Sequence, residues 1–169
     1  MFKSLGVFLA GITMLASTFP TWAQPKPIDP NNGTWHIGLD KLWGMDTRAN
    51  EGRRLDIYPV FIEGKWVNAL ATARRFNTSI HLIEESDVTV NVQAGTVTGK
   101  IKAYITPDTW VPNDGQAFYI EAQIDGKLQR QNDGGYTIGG EYTARRTDGK
   151  PIYDDVTEVK ANLIGGAGH

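Results

Sequence analysis

The sequence predicts an all-β fold of antiparallel strands, on the strength of three observations. Apolar and polar residues alternate with a period of two along several short stretches, such as residues 88–92 and 118–124. The 19 glycines punctuate these stretches, and no long stretch is convincing as a helix. We therefore predict a single-domain antiparallel β-sandwich, jelly-roll-like, with roughly nine strands. An up-and-down β-barrel is the alternative.

The first 23 residues have the pattern of a cleaved secretory signal peptide. Lys3 supplies a positive start, residues 5–16 are an apolar run, and residues 21–23 form a small-x-small cleavage site. The run is too short for a membrane span, which needs about 20 residues. We therefore expect a periplasmic or secreted protein without a membrane span. The absence of cysteine favours a bacterial origin, because small eukaryotic secreted domains commonly depend on disulfides.

The rest of the chain has the size of one domain. Residues 24–33 contain three prolines and predict an extended lead-in. Residues 34–164 are predicted to form the β-sandwich domain, and residues 165–169 a flexible C-terminal tail.

The first half of that domain predicts strands at residues 34–43, 55–62 and 80–83. Pro59 lacks a backbone N–H, so it predicts a sheet edge or a bulge within the second of these strands. Residues 65–76 fit either a strand or a helix. The glycine turn before them favours a strand that completes a hairpin.

The second half centres on residues 87–131, which predict four strands. Ala94-Gly95 and Asp125-Gly126 predict tight turns, the second a type I′ hairpin followed by a short return strand at Leu128. A long loop, residues 107–116, interrupts this block. Residues 135–145 and 156–164 complete the sheet, with a turn at 147–150 between them.

Composition and motifs favour a non-catalytic protein. The net charge is −2 and basic residues do not cluster, which argues against nucleic-acid binding. No serine lies in a nucleophile elbow, and His36 and His81 lack the spacing of a zinc site. An enzyme that acts on polysaccharide remains an alternative function, because glycoside hydrolysis requires a pair of carboxylates and the sequence contains candidates for them. Its candidate residues are Glu121 or Glu141, with His36 or tyrosine residues.

The candidate binding residues lie in the long loop. Trp110 is surrounded there by Asp108, Asn113 and Asp114. A rigid aromatic ring can stack on the apolar face of a sugar while carboxylates and amides bind its hydroxyls. This loop therefore predicts a carbohydrate site, with a glycan or cell-surface partner. In the alternative interpretation, Trp110 folds back over the end of the sheet.

No cofactor is predicted apart from a structural calcium ion. Calcium prefers carboxylate and carbonyl oxygens, and β-sandwich loops can supply them. The loop residues Asp108, Asn113 and Asp114 fit this chemistry, as does the pair Asp154-Asp155 in a later loop.

Two further functions remain as alternatives. Gly33-Thr34-Trp35 opens the first predicted strand and resembles the G-x-W motif of lipocalins, over three residues. This resemblance implies a barrel that carries a small apolar ligand in its mouth. The other alternative is an assembly or accessory domain that has no small ligand and docks through an exposed strand edge. The sequence leaves the oligomeric state open.

Overall fold

The computed structural model describes residues 29–47, 50–73, 80–83, 86–106 and 116–167. These residues form strands, turns and loops, and they contain no helix that is long and apolar enough to span a membrane. The strands are β1 (Gly33–Thr34), β2 (His36–Leu39), β3 (Met45–Asp46), β4 (Glu51–Gly52), β5 (Leu55–Ile62), β6 (Lys65–Ala73), β7 (Ile80–Ile83), β8 (Asp87–Asn91), β9 (Thr96–Ile105), β10 (Phe118–Arg130), β11 (Tyr136–Arg146) and β12 (Glu158–Ala167).

Ten of these strands form one antiparallel sheet, and β3 and β4 pair separately. Strand β2 pairs with β5, β5 with β6, and β6 with β7 and β8. Strands β7 and β8 both pair with β9, and β9 to β12 pair in succession. Because β12 pairs with β2, the pairings form a closed circuit. The prediction of an all-β antiparallel fold is confirmed. The order in which the chain connects the strands is the up-and-down order named in the alternative prediction.

The interior of the circuit is filled with apolar side chains. Alternation along the strands turns every second residue inward, where the buried residues form one continuous core. Ile57, Ile101, Ile120 and Ile124 are 0% exposed, and Leu163 is 1% exposed. A cavity that could hold water would leave part of its lining exposed. No such cavity therefore lies against these five side chains.

The two ends of the circuit differ in their connections. Short turns join β5 to β6, β8 to β9 and β10 to β11 at one end. The connections between β2 and β5, between β9 and β10 and between β11 and β12 are longer and lie at the other end. Loops of this kind are where binding residues are most often found.

Trp35 closes the short-turn end. Its buried ring packs edge-on against Phe61, with centroids 6.4 Å apart, and lies 6.1 Å from Tyr136. The indole N–H donates to the carbonyl of Pro30 at 3.2 Å. The described part of the predicted lead-in, residues 29–32, therefore forms a turn against this end, not an extended segment.

Several local predictions are confirmed. Strand β5 has the predicted bounds, and the register of the β5–β6 pair shifts between Val60 and Phe61, just after Pro59. Residues 65–73 form a strand, which answers the question of strand or helix for the described part of residues 65–76. The turns at Ala94-Gly95 and at residues 147–149 are also present.

The predicted hairpin at Asp125-Gly126 is wrong. Both residues lie inside β10, a continuous strand of 13 residues that also includes Leu128. A Cβ atom at Gly126 would lie 2.9 Å from the side chain of Leu163 and 3.0 Å from that of Ile138. Glycine at position 126 therefore allows close packing of these side chains and does not form a turn.

The predicted tail begins too early, because β12 continues to Ala167. A Cβ atom at Gly165 would lie 2.0 Å from the backbone oxygen of His36, and one at Gly166 would lie 2.3 Å from that of Tyr136. The two glycines allow the neighbouring strands to approach closely. They therefore lie within β12, although they were predicted to begin a flexible tail.

Candidate functional site

The predicted carbohydrate site lies outside the described residues. Trp110, Asp108, Asn113 and Asp114 all fall within residues 107–115, so their role as a binding site stays a prediction. The strands that carry this loop are described: Ile105 of β9 is in register with Phe118 of β10. The loop therefore leaves and rejoins the sheet on neighbouring strands at the long-loop end.

A buried arginine fixes this end of the molecule. The Arg146 guanidinium donates to both carboxylate oxygens of Asp148, at 2.9 and 2.6 Å, and lies 4.1 Å above the ring of Phe118. The hydrogen bond from Arg146 holds the pKa of Asp148 below its ordinary value. Nearby, the buried Tyr142 hydroxyl donates to the Asp40 carbonyl at 2.6 Å, and burial raises the pKa of Tyr142. The Arg146 contacts hold the β11–β12 connection and the start of β10 in place, and the Tyr142 hydrogen bond joins β11 to the turn after β2.

A polar depression of about 510 Å³ lies on the outer face of β10, β11 and β12. Its volume is within the range of small-molecule sites, about 300–1,000 Å³. The residues that line it are Gln123, Asp125, Lys127, Gly140, Glu141, Tyr142, Thr143 and Lys160. We call this feature the outer depression.

Strand register brings the lining side chains together. Gln123 of β10 lies opposite Thr143 of β11, and Thr143 lies opposite Lys160 of β12. Gln123, Asp125 and Lys127 are alternate residues of β10, so all three side chains point outward. Three strands thus present their polar residues on one surface.

Glycine brings two of these strands close together beside the outer depression. Gly140 of β11 lies opposite Gly126 of β10, and a Cβ atom at Gly140 would lie 2.2 Å from the backbone oxygen of Asp125. Any side chain at position 140 would therefore push β10 and β11 apart.

The charges in the outer depression balance. Asp125 and Glu141 lie directly opposite each other on β10 and β11, an arrangement that is unfavourable for two like charges. Lys127 and Lys160 line the same space, and the Lys160 ammonium is 3.5 Å from a carboxylate oxygen of Glu141. Amide, hydroxyl, carboxylate and ammonium groups together offer donors and acceptors without net charge. This chemistry suits a neutral ligand with many hydroxyl groups.

The residues proposed for catalysis are not brought together. Glu121 lies opposite Arg145 of β11, four residues from Glu141, or about 13 Å along the strand. Each carboxylate has its own lysine partner: Lys100 is 3.2 Å from Glu121, and Lys160 lies beside Glu141. His36 is on β2, and β12 lies between β2 and the two strands that carry the glutamates, β10 and β11.

His36 instead belongs to a charged cluster on the outer face of β2 and β5. Its Nε2–H donates to Asp56 at 2.7 Å, and Arg54 Nε lies 2.8 Å from the same carboxylate oxygen. The ring of His36 stacks on Tyr58, with centroids 5.3 Å apart. Burial favours the protonated form of Asp56, but the hydrogen bonds from His36 and Arg54 and their positive charge outweigh it and lower the pKa of Asp56.

Sequence reasoning missed Asp56 and Arg54. Asp56 is only 4% exposed although it faces outward, and it lies opposite Gly38 on the neighbouring strand. A Cβ atom at Gly38 would lie 3.5 Å from that carboxylate. The signal available in the sequence was an aspartate between apolar residues of a strand, two residues after an arginine.

Within the residues that the structure describes, no group of three His, Cys, Asp or Glu side chains could hold a metal ion. Asp154 and Asp155 are exposed in the connection between β11 and β12. The predicted calcium ligands Asp108, Asn113 and Asp114 lie outside the described residues, so a calcium ion there stays a prediction.

Comparisons of this chain with protein-family models, with curated proteins and with solved structures find no match. We therefore infer the function from the geometry of the outer depression and of the core.

Proposed function

We propose that this protein is an exported, non-catalytic binding protein and that its ligand is a carbohydrate. The observation that carries the proposal is the outer depression, a space of about 510 Å³ whose lining includes polar and charged side chains of three strands. Sugars present many hydroxyl groups and no charge, and the lining offers hydrogen-bond donors and acceptors with balanced charges. Export is part of the proposal because of the apolar run at residues 5–16.

Two features favour the outer face over other locations. The interior is packed with buried apolar side chains at 0–9% exposure, so a site inside the circuit, as in an apolar-ligand carrier, has less support. The carboxylates Glu121 and Glu141 stand about 13 Å apart along the strands, further than the ~5–9.5 Å that separates the catalytic pair in most glycosidases. Binding without turnover fits these distances better.

The Trp110 loop supplies a second contact in this proposal. The loop ends where β10 begins, and the same strand carries Gln123, five residues after Phe118 and about 17 Å along the strand. A glycan of several sugar units would span this distance. Trp110 would then stack on one unit while the outer depression binds the hydroxyls of another.

Replacing Glu141 with glutamine should weaken glycan binding by about tenfold or more, because a charged hydrogen bond contributes about 1.5–3 kcal/mol. The matched control is Glu121→Gln. Glu121 is also exposed, on the neighbouring strand, and is also paired with a lysine, but it lies outside the outer depression. The measurement is a glycan-array and polysaccharide pull-down screen on the exported protein, followed by titration calorimetry with the best ligand.

Trp110→Ala, measured beside these variants, separates the loop from the outer depression. Loss of binding in Trp110→Ala with full binding in Glu141→Gln would move the site to the loop alone. A folded protein that binds no glycan in the screen would contradict the proposal. N-terminal sequencing of the exported protein checks for cleavage after Ala23.

A further inference from the structure

Two tyrosines lie side by side on the outer face of the sheet, outside the outer depression. Tyr104 of β9 is directly opposite Tyr119 of β10, and their ring centroids are 5.1 Å apart, with the rings tilted by 56°. The residues next to them along the strands, such as Ala103 and Ile120, are fully buried, so both tyrosine rings point outward. Each tyrosine is half-buried, which leaves part of each side chain accessible. We call Tyr104 and Tyr119 the tyrosine pair.

A lysine on the same face helps to fix the orientation of one of these rings. The Lys102 ammonium lies 5.0 Å from the centre of the Tyr119 ring, which is a cation–π contact. Lys102 and Tyr104 are alternate residues of β9, so Tyr119 contacts two side chains of the neighbouring strand. A ring that is already held in place loses little conformational entropy when a ligand binds to it. The tyrosine pair is therefore a preformed aromatic surface.

The charged groups beside the tyrosine pair already have partners within the protein. The Lys100 ammonium is 3.2 Å from a carboxylate oxygen of Glu121, and Arg145 forms an ion pair with Glu158. Lys102 contacts the tyrosine pair itself. Because these cations are partnered, the surroundings favour a ligand that carries no charge.

The tyrosine pair and the outer depression lie on one face of β10. Tyr119 and Gln123 are four residues apart, so both side chains point outward, and the distance along the strand is about 13 Å. Gln123 belongs to the lining of the outer depression. An aromatic surface and a polar surface thus follow each other along the same strand.

We propose that the tyrosine pair is a second sugar-binding position and that the protein binds an extended chain of uncharged sugars along β10. This inference rests on the carbohydrate function. The outer depression binds the hydroxyl groups of one sugar unit, and the tyrosine pair stacks on the apolar face of another. Since the two positions are about 13 Å apart, two linked sugar rings are too short to occupy both, whereas a longer chain contacts both. Glu121, which lies between them, has no assigned contact.

Binding of neutral oligosaccharides of increasing length tests this inference. The probes are glucose, mannose, xylose and galactose oligosaccharides of two to six units, titrated by calorimetry against the full chain as processed by its host. Affinity should rise about tenfold or more between two and six units in a series that binds, because a second linked contact forms. Tyr119→Ala should weaken six-unit binding about five- to tenfold and change two-unit binding less than about twofold. Tyr119→Phe keeps the ring and should keep the gain with length.

The matched control is Tyr58→Ala, which should leave binding unchanged at every length. Tyr58 is also an outward tyrosine whose ring stacks on a neighbour, His36, at 5.3 Å, but it lies on β5, away from the outer depression. Tyr104→Ala provides a second variant in case Tyr119→Ala fails to fold. Thermal unfolding of all variants checks the fold.

The outcomes separate this inference from the carbohydrate function. Affinity that does not depend on length, or that is unchanged in the folded alanine variants, would overturn the inference and leave the carbohydrate function in place. An equal loss at every length would also overturn it, because the tyrosine pair would then act on the outer depression itself. Binding of only acidic polysaccharides would overturn the uncharged chain alone. A folded protein that binds no glycan at all would contradict both proposals.

Discussion

Gly99→Ala should lower the free energy of unfolding by about 3–5 kcal/mol, the largest effect expected of any single substitution considered for this protein. Gly99 has φ of 140°, a conformation that residues with a Cβ atom rarely adopt. A Cβ atom at this position would lie 1.8 Å from the backbone oxygen of Asp87 and 2.8 Å from the Cα of Val88. Since both contacts are with the backbone of β8, relief would require β8 and β9 to separate.

Gly139→Ala is the matched control. Gly139 is also within a long strand, but nothing lies within 4 Å of the position where its Cβ atom would stand. This substitution should change stability by less than about 1 kcal/mol. Urea unfolding followed by tryptophan fluorescence measures both variants. Equal stability losses at the two positions would show that the close approach of β8 to Gly99 is not what requires glycine.

Asp56→Asn is expected to have the second-largest effect, a loss of about 2–3 kcal/mol at neutral pH. The Asp56 side chain is 6% exposed and interacts with His36 and with Arg54, whose own side chain is 18% exposed. Asparagine keeps the size of the side chain but removes the negative charge. The guanidinium of Arg54 would then be largely buried without a charged partner, which is the source of the cost.

The same variant should change how stability depends on pH. The pKa of Asp56 is lowered from its ordinary value of 3.8 in the folded state. A lowered folded-state pKa means that the carboxylate contributes its full stability above about 3.8 and that this contribution is lost as the pH falls through the folded-state pKa. The difference in stability between wild type and Asp56→Asn should therefore be largest at neutral pH and shrink in acid.

Urea unfolding from neutral pH downward measures this difference, with Asp155→Asn as a control at an exposed aspartate. We expect the control to follow the wild-type curve at each pH. A constant gap between wild type and Asp56→Asn across the whole range would contradict the role assigned to the ionised carboxylate.

The fold class was predictable because it depends on local pattern. Strand β5 has the predicted bounds, since Leu55 to Ile62 is a short, mostly apolar run and a turn with glycine follows. The same glycine turn correctly favoured a strand over a helix for residues 65–73. Alternation specifies which side chains are buried, and burial of one face is what stabilises a sheet of this kind.

Glycine caused the main errors, because it has two roles that the sequence does not distinguish. At Ala94-Gly95 glycine lies in a turn with positive φ, as predicted. At Gly126 and Gly165 it continues a strand, because another part of the chain occupies the space that a Cβ atom would need. Those neighbours, Leu163 and the backbone at His36, are distant in sequence and only the tertiary structure brings them near.

By itself, the sequence determined that this protein is an antiparallel all-β domain, because this follows from alternation over a few residues. It also marked Trp110 and its acidic neighbours as binding candidates, a prediction that binding measurements must test. Only the tertiary structure decided that Gln123, Glu141 and Lys160 share one depression and that Asp56 meets His36 and Arg54. The physical reason is that strand register and closure depend on contacts between distant segments.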